Sequence, residues 1–313
     1  MNHIFRIVRR KSDGLLVVAS EMAKSAVGGS VASAAALLTL LLSSEALWAQ
    51  ASDIVVDASQ VSNATVVVAS AFNGGSGTVV SQVDIVAPNV NDVSHNVFTS
   101  LNVNGSGVVI NNAQLAGESV ILYGDTSVGT GSEVGRGVVA ANASLGNANK
   151  EAELIILEVS GANVASFAGS MEVVRSDTTG QTVVIGQDGT GADILKNLTK
   201  LTDLIIAVPG GISLNGASFI GTDNLVLATG AVNSVTGLQV ALGMSANGIT
   251  IQDNSTSSGA TSLSAADLAI LSAKITIQGK IESDTITLLT TDATATFDAS
   301  NSSLTSTNTG VVN

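Results

Sequence analysis

Residues Val83–Ala113 read VDIVAPNVNDVSHNVFTSLNVNGSGVVINNA, and this stretch decides the fold. Val83/Ile85, Val97, Leu101/Val103 and Val108–Ile110 are short β-branched or aliphatic runs. Asn, Ser and Gly positions with turn chemistry separate them. Nothing in it has helical spacing. Ser94-His95-Asn96 reads as a turn, and Asn111-Asn112 closes an apolar run at a corner. There their amides can satisfy backbone groups or pair with the next layer.

Working outward, the composition demands the same kind of structure. The 313 residues are 45% hydrophobic but only 3% aromatic, so the core has to be built from Val, Ile, Leu and Ala. Such residues stack in register in narrow, repetitive layers better than in a broad sandwich. Short runs recur at Leu204–Ile206, Leu225–Leu227, Leu238–Val240, Ile249–Ile251, Ile275–Ile277 and Ile286–Leu289, each ended by Gly, Asn, Asp or Ser. This is the pattern of stacked coils. With about 20 residues per coil and layers about 4.8 Å apart, residues 52–313 predict about a dozen coils in a rod of about 60 Å.

The chain has no cysteine, so neither disulfides nor thiolate metal sites contribute. Beyond residue 51 it carries 7 basic and 22 acidic side chains, a surface that excludes nucleic acid as a partner. The leader differs in charge. It has Arg6, Arg9, Arg10, Lys11 and Lys24, then the apolar run VASAAALLTLLL over 31–42, then Ala49-Gln50-Ala51. The small-x-small pattern predicts cleavage after Ala51 or Ala49 by signal peptidase, and the apolar run is too short for a membrane span. About 25 residues precede the ordinary signal regions. Through Met1-Asn2, Ile4-Phe5-Arg6, Val17-Val18 and Ser20-Glu21-Met22-Ala23 they resemble the extended signal peptide of bacterial type V secretion proteins.

Pro88, Ser94-His95-Asn96, Phe98, Val103, Gly107 and Val109-Ile110-Asn111-Asn112 resemble the N-terminal secretion domain of the filamentous haemagglutinin family, the exoproteins of two-partner secretion. A second block extends the resemblance: AELIILEV over 152–159, Ser166, Gly169, Met171-Glu172-Val173, and IIAVPGGISLNGASFIGTDNLVLATG over 205–230. The chain departs from the family at Leu157, where Asn is usual, and at Gly146–Asn149, which lacks the motif's proline. Val208-Pro209-Gly210-Gly211 replaces an Asn-Pro-x-Gly corner.

The resemblance implies an all-β, right-handed, single-stranded parallel β-helix behind a cleavable helical signal peptide. It divides the chain into a leader (1–51), a haemagglutination-activity domain (52–230, with an insertion near 177–200), and further coils with a frayed end (231–313). It further implies export by the inner-membrane general secretion machinery and then by an outer-membrane transporter with periplasmic receptor domains. The product would be a secreted or surface-bound protein of a Gram-negative bacterium. Expected roles are adhesion or haemagglutination through a receptor on a host or neighbouring cell, or the secretion-and-rod portion of a haemolysin or contact-dependent inhibition toxin. In longer family members the effector lies further along the chain. The residues matching secretion-motif corners are Asn96, Asn111, Asn112, Asn147, Asn149, Pro209 and Gly211.

The residues themselves offer little chemistry. His95 is the only histidine after His3, and consecutive residues such as Ser94 and His95 cannot easily converge on a substrate in extended backbone. Asp188–Lys196 resembles one calcium nonapeptide, but a single copy leaves the oxygen shell half built. Polysaccharide lyases share the β-helix. Their sites need acids around a basic residue, and Arg136 and Arg175 stand beside no acidic run. No enzyme, cofactor or metal is expected.

Overall fold

The computed structural model describes residues 5–9, 16–20, 53–60, 64–69, 80–115, 139, 141–148, 150–187, 193–254, 261–290 and 294–306. Two compact units, Met1–Trp48 and Ala49–Asn313, divide the chain. In the first, β1 (Phe5–Arg9) pairs antiparallel with β2 (Leu16–Ser20), Ile7 facing Val18. The β-branched pairs Ile7-Val8 and Val17-Val18 favour this hairpin. The helix expected of the leader falls on 31–42, and the cleavage positions Ala49 and Ala51 follow it; all lie outside the described residues.

The second unit is a three-sided parallel β-helix. β3 (Asp53–Val56) and β4 (Thr65–Ala69) lead into β5 (Val80–Asp84), β6 (Val93–Val103) and β7 (Val108–Asn112). The long β6 bends over two faces. Its first half pairs with β8 (Leu154–Val159) and its second half with β9 (Ala165–Phe167), while β7 pairs with β10 (Ser170–Arg175) on the third face. A short helix, α1 (Ala143–Ala148), lies between coils one and two.

After an antiparallel hairpin, β11 (Thr178–Gln187) with β12 (Asp193–Thr199), the third coil follows as β13 (Thr202–Ala207), β14 (Ile212–Leu214) and β15 (Ala217–Ile220). The fourth begins with β16 (Thr222–Ala228) and is interrupted by the hairpin β17 (Gly230–Thr236) and β18 (Gln239–Met244). It resumes with β19 (Gly248–Ile251) and β20 (Thr261–Ser264). The fifth is β21 (Asp267–Ser272), β22 (Lys274–Ile277) and β23 (Lys280–Glu282). β24 (Thr285–Thr290) begins a sixth, and β25 (Thr294–Asp298) and β26 (Ser303–Ser306) leave the helix.

Parallel pairing of like faces from coil to coil, with the right-handed sense of parallel crossovers, makes this the right-handed parallel β-helix expected from the sequence. The expected length is corrected. Coil starts at Thr202 and Thr222, and again at Asp267 and Thr285, fit the 20-residue estimate, but excursions consume the remainder. The described residues make five coils and the first face of a sixth, a stack of about 24 Å. Leu238–Val240 is also corrected: it enters the antiparallel sheet β17-β18-β25-β26, not a coil. β16 and β19, on either side of residue 230, belong to one coil.

The interior is a set of aliphatic columns. In register on the first face, Ser94, Ile155, Leu204, Leu225, Leu268 and Ile286 form one, and Asn96, Leu157, Ile206, Leu227, Ile270 and Leu288 the next. Both columns change from polar to apolar after the first coil. Phe98, Phe167 and Phe219 add the few aromatic rings, the last two with centroids 5.9 Å apart. Each fully buried Leu, Ile or Phe contributes about 1.5–3 kcal/mol, so repetition compensates for the scarcity of rings.

Candidate functional site

The secretion-motif residues gather mainly at the leading end of the helix, where a solenoid would otherwise expose its core and backbone. β3 and β4 close two faces there by antiparallel pairing, Ile54 against Leu101 and Val66 against Val83. Val86 crosses the same end, and the first coil satisfies its backbone with side chains. Ser94 Oγ donates to the Val86 carbonyl at 2.8 Å, and the Val86 N–H donates to Asn96 Oδ1 at 2.9 Å. Asn96 Nδ2 donates to Ser94 Oγ at 3.1 Å and to the Ile156 carbonyl at 3.3 Å.

Ser94-His95-Asn96 is therefore strand, not the expected turn. The turn is Asn89–Asp92, with Asp92 left-handed at φ 62°. The polar residues lie mid-strand because two of them point inward at the one layer that has a backbone segment, and no further coil, beyond it. Where the family usually has a second Asn, Leu157 stacks on Asn96 and starts the aliphatic column.

Asn111 and Asn112 hold the next corner. Asn111 Nδ2 donates to Asp84 Oδ1 at 2.7 Å and its Oδ1 accepts from the Ala113 N–H at 3.1 Å. Asn112 pairs with the Ala152 backbone in both directions, Nδ2 donating to the carbonyl at 2.9 Å and Oδ1 accepting the N–H at 2.8 Å. Asn96, Asn111 and Asn112 are all completely buried.

Asn142 completes this end although the sequence reading passed over it. Its Nδ2 donates to the Ile85 and Asn111 carbonyls, each at 2.9 Å, and its Oδ1 accepts from the Ser144 N–H at 3.0 Å at the start of α1. An Asn followed by a short run reaching the buried Leu145 is an N-cap signature that could have revealed it. Asn147 lies in α1, and Asn149 lies outside the described residues.

Pro209 and Gly211 lie elsewhere, at the corner between β13 and β14. The Pro209 carbonyl accepts from Ser245 Oγ and Asn247 Nδ2, both at 2.7 Å. Gly211, at φ 108°, accepts the Ala165 N–H at 3.0 Å. This corner is a stacking joint between coils two, three and four.

Beside the leading end is a charged cluster that corrects the expectation for Arg175. In sequence no acidic run adjoins it, but the start of the same coil, one turn back along the chain, brings Glu151 and Glu153 alongside. Arg175 Nε lies 3.3 Å from Glu151 Oε2 and 2.7 Å from Asp177 Oδ1, and Nη2 lies 3.1 Å from Glu153 Oε1. Glu151 also accepts the Gln114 and Ser176 N–H groups at 2.8 and 2.9 Å. Lys200 approaches Asp177 at 3.1 Å, and Lys150 pairs with Asp92. Burial opposes the Asp177 charge, but hydrogen bonds donated by Arg175 and Lys200 and the Arg175 charge hold its carboxyl down at about 2. Every polar group of Arg175 is engaged by the protein's own groups, so the cluster ties coils together.

His95 points away from Ser94. Its Nε2 is 2.8 Å from Glu158 Oε2, and Ser94 Oγ is committed to Val86, so the two do not form a nucleophile and base pair. Asp92 is bound to Lys150 instead. Asp188 and Arg136 lie outside the described residues.

Near the start of β13, Asp203 Oδ1 accepts the Asn224 N–H at 3.2 Å and its Nδ2 at 2.7 Å. Burial, reinforced by the charges of Asp223 and Glu153, pushes its carboxyl up to about 6 against the Asn224 hydrogen bonds. The folded state thus prefers protonated Asp203. Its ionisation lowers stability progressively between about pH 4 and 6 and by a constant amount above that, about 2–3 kcal/mol. Asp203→Asn is expected to raise stability by that amount at pH 7 and hardly at all at pH 4. Urea unfolding at both pH values checks it, and equal gains would refute it.

Residues 1–50 match the family described as the extended signal peptide of the type V secretion system. The helix is similar to the crystal structure of a filamentous haemagglutinin secretion domain, with TM-score 0.54 and 26% identity over 82% of this chain and 69% of that one. In sequence, the chain is 33% identical to the filamentous haemagglutinin of Bordetella pertussis over 56% of its length, and 31% identical to the haemolysin of Serratia marcescens over 60%. It is 34% identical to the 16S rRNA endonuclease CdiA of Enterobacter cloacae over 47%. It spans only 4%, 10% and 3% of those three proteins. The described coils are thus similar to a secretion domain of the filamentous haemagglutinin kind, and the type V signal peptide with these relatives marks an exported, cell-surface protein of a Gram-negative bacterium.

Proposed function

We propose that this chain is the secretion-directing portion of a two-partner secretion exoprotein that acts in adhesion or haemagglutination, without catalysis of its own. The likeness of its coils to a haemagglutinin secretion domain carries the reading. The general secretion machinery moves the chain across the inner membrane. A dedicated outer-membrane barrel with periplasmic receptor domains then passes it outward, and a receptor on a host or neighbouring cell receives it. The haemolysin and CdiA matches over similar portions of this chain favour a second reading, in which the same domain leads a cytolytic or growth-inhibiting protein.

Recognition by the transporter falls to Asn96, Asn111, Asn112, Asn147, Asn149, Pro209 and Gly211. Because the first three are buried once folded, they can be contacted only in the unfolded chain, and folding then withdraws them. Co-expression with the transporter gene and assay of the medium tests the whole reading: export that persists without the transporter would overturn it. Asn111→Ala and Asn112→Ala test the recognition role. Each is expected to reduce export at least tenfold. The refolded Asn112 variant also loses about 2 kcal/mol, since both Ala152 backbone groups are left unpaired. Normal export of the destabilised variants would leave these residues a purely structural role.

A further inference from the structure

We propose that Thr294–Ser306 is a strap that docks last and gives the domain an open and a closed state. The outward side of the first face is apolar on coils two to five, where Ile156, Ile205, Val226 and Leu271 form a strip. The antiparallel sheet covers it, and that sheet is assembled from two distant parts of the chain. β17 and β18 leave the fourth coil directly after β16. β25 and β26 arrive only after the fifth coil and β24, and β25 then pairs with β18, Val240 opposite Phe297 and Leu242 opposite Ala295. In chain order the strip and half its cover are complete before the strap exists.

The margins of the cover are held differently. On the β17 side, the Val232 N–H donates to Glu158 Oε1 at 3.0 Å, and Glu158 holds His95 at 2.8 Å, tying the hairpin to coils one and two. On the strap side the side-chain ties include Asn224 Nδ2 to Ser302 Oγ at 2.9 Å and Gln239 Nε2 to Asp298 Oδ2 at 2.9 Å, both exposed. Of the strap's described side chains, Ala295 and Phe297 are fully covered, and Ala299 and Leu304 pack partly buried against the same cluster. Among the described residues a single backbone ladder, β25 on β18, joins it to the rest of the domain, whereas each strand of an inner coil is paired on both sides. Elements so held open at lower free energy than the body they cover. Opening uncovers the strip and the β18 edge while leaving the coils intact.

The full chain carrying Ala241→Cys and Thr296→Cys tests this directly, since these positions face each other across β18 and β25 and the chain has no cysteine of its own. In the reduced protein, amide hydrogens of β25 and the β18 groups bonded to it are expected to exchange at least tenfold faster than those of β13 and β16. Oxidation should slow the strap amides at least tenfold and leave the coils unchanged. Phe297→Ser provides a second test: expected are an unchanged far-ultraviolet β signal and a several-fold rise in fluorescence of an apolar dye. Strap amides that exchange in step with the coils, or loss of the whole β signal in Phe297→Ser, would show that the strap is part of one cooperative core and overturn the proposal.

Discussion

Replacing Arg175 with alanine is expected to lower the stability of the folded domain by about 3–5 kcal/mol, because it strands a buried carboxylate. The Arg175 and Glu151 side chains are only 2% and 3% exposed, and Glu151 also anchors backbone N–H groups of Gln114 and Ser176. Equilibrium urea unfolding of the refolded chain measures the loss. Arg175→Met combined with Glu151→Gln should recover much of it, because neither remaining side chain then brings a charge into the corner. A loss below about 1 kcal/mol for the alanine variant would mean that the backbone donors alone can hold the Glu151 charge.

Gly210→Ala should cost about 2–3 kcal/mol by a different cause, overpacking. A Cβ at this position would overlap the carbonyls of Asn163 and Ala162 in the preceding coil, which are backbone groups with little room to give. Gly161→Ala is the appropriate comparison. Gly161 has φ 80° but nothing within 4 Å of an added Cβ, so only the left-handed backbone is strained, at about 1 kcal/mol. Thermal unfolding of the two variants separates the need for close approach from the need for glycine's backbone freedom. Equal losses would contradict the stacking argument for the Pro209–Gly211 corner.

How much of this was legible in the sequence depended on how far apart the interacting residues lie along the chain. The runs Leu204–Ile206 and Leu225–Leu227 are coil strands because inward and outward sides of the first face are both buried, leaving near-continuous apolar segments. Leu238–Val240 looks the same locally yet covers the helix from outside, since a short apolar run carries no sign of which layer it joins. The coil count failed because the hairpins at 178–199 and 230–244 have ordinary strand composition. Arg175 was misread because its partners Glu151 and Glu153 lie one turn back along the chain, at a separation set by coil length rather than by any local motif. Asn96, Asn111 and Asn112 could be singled out by resemblance, but the backbone groups they satisfy became apparent only once Val86 and Ala152 were placed beside them.

The two ends of the stack differ, and the difference gives the rod a direction. At the leading end, β3, β4, Val86 and the Asn residues leave the first layer sealed. At the other, among the described residues, β22, β23 and β24 pair with no strand on their far sides, and Ile277 and Ile286 are about half exposed. In polymer terms one terminus is capped and the other is living. At the open one the existing layer already dictates the register of a further coil.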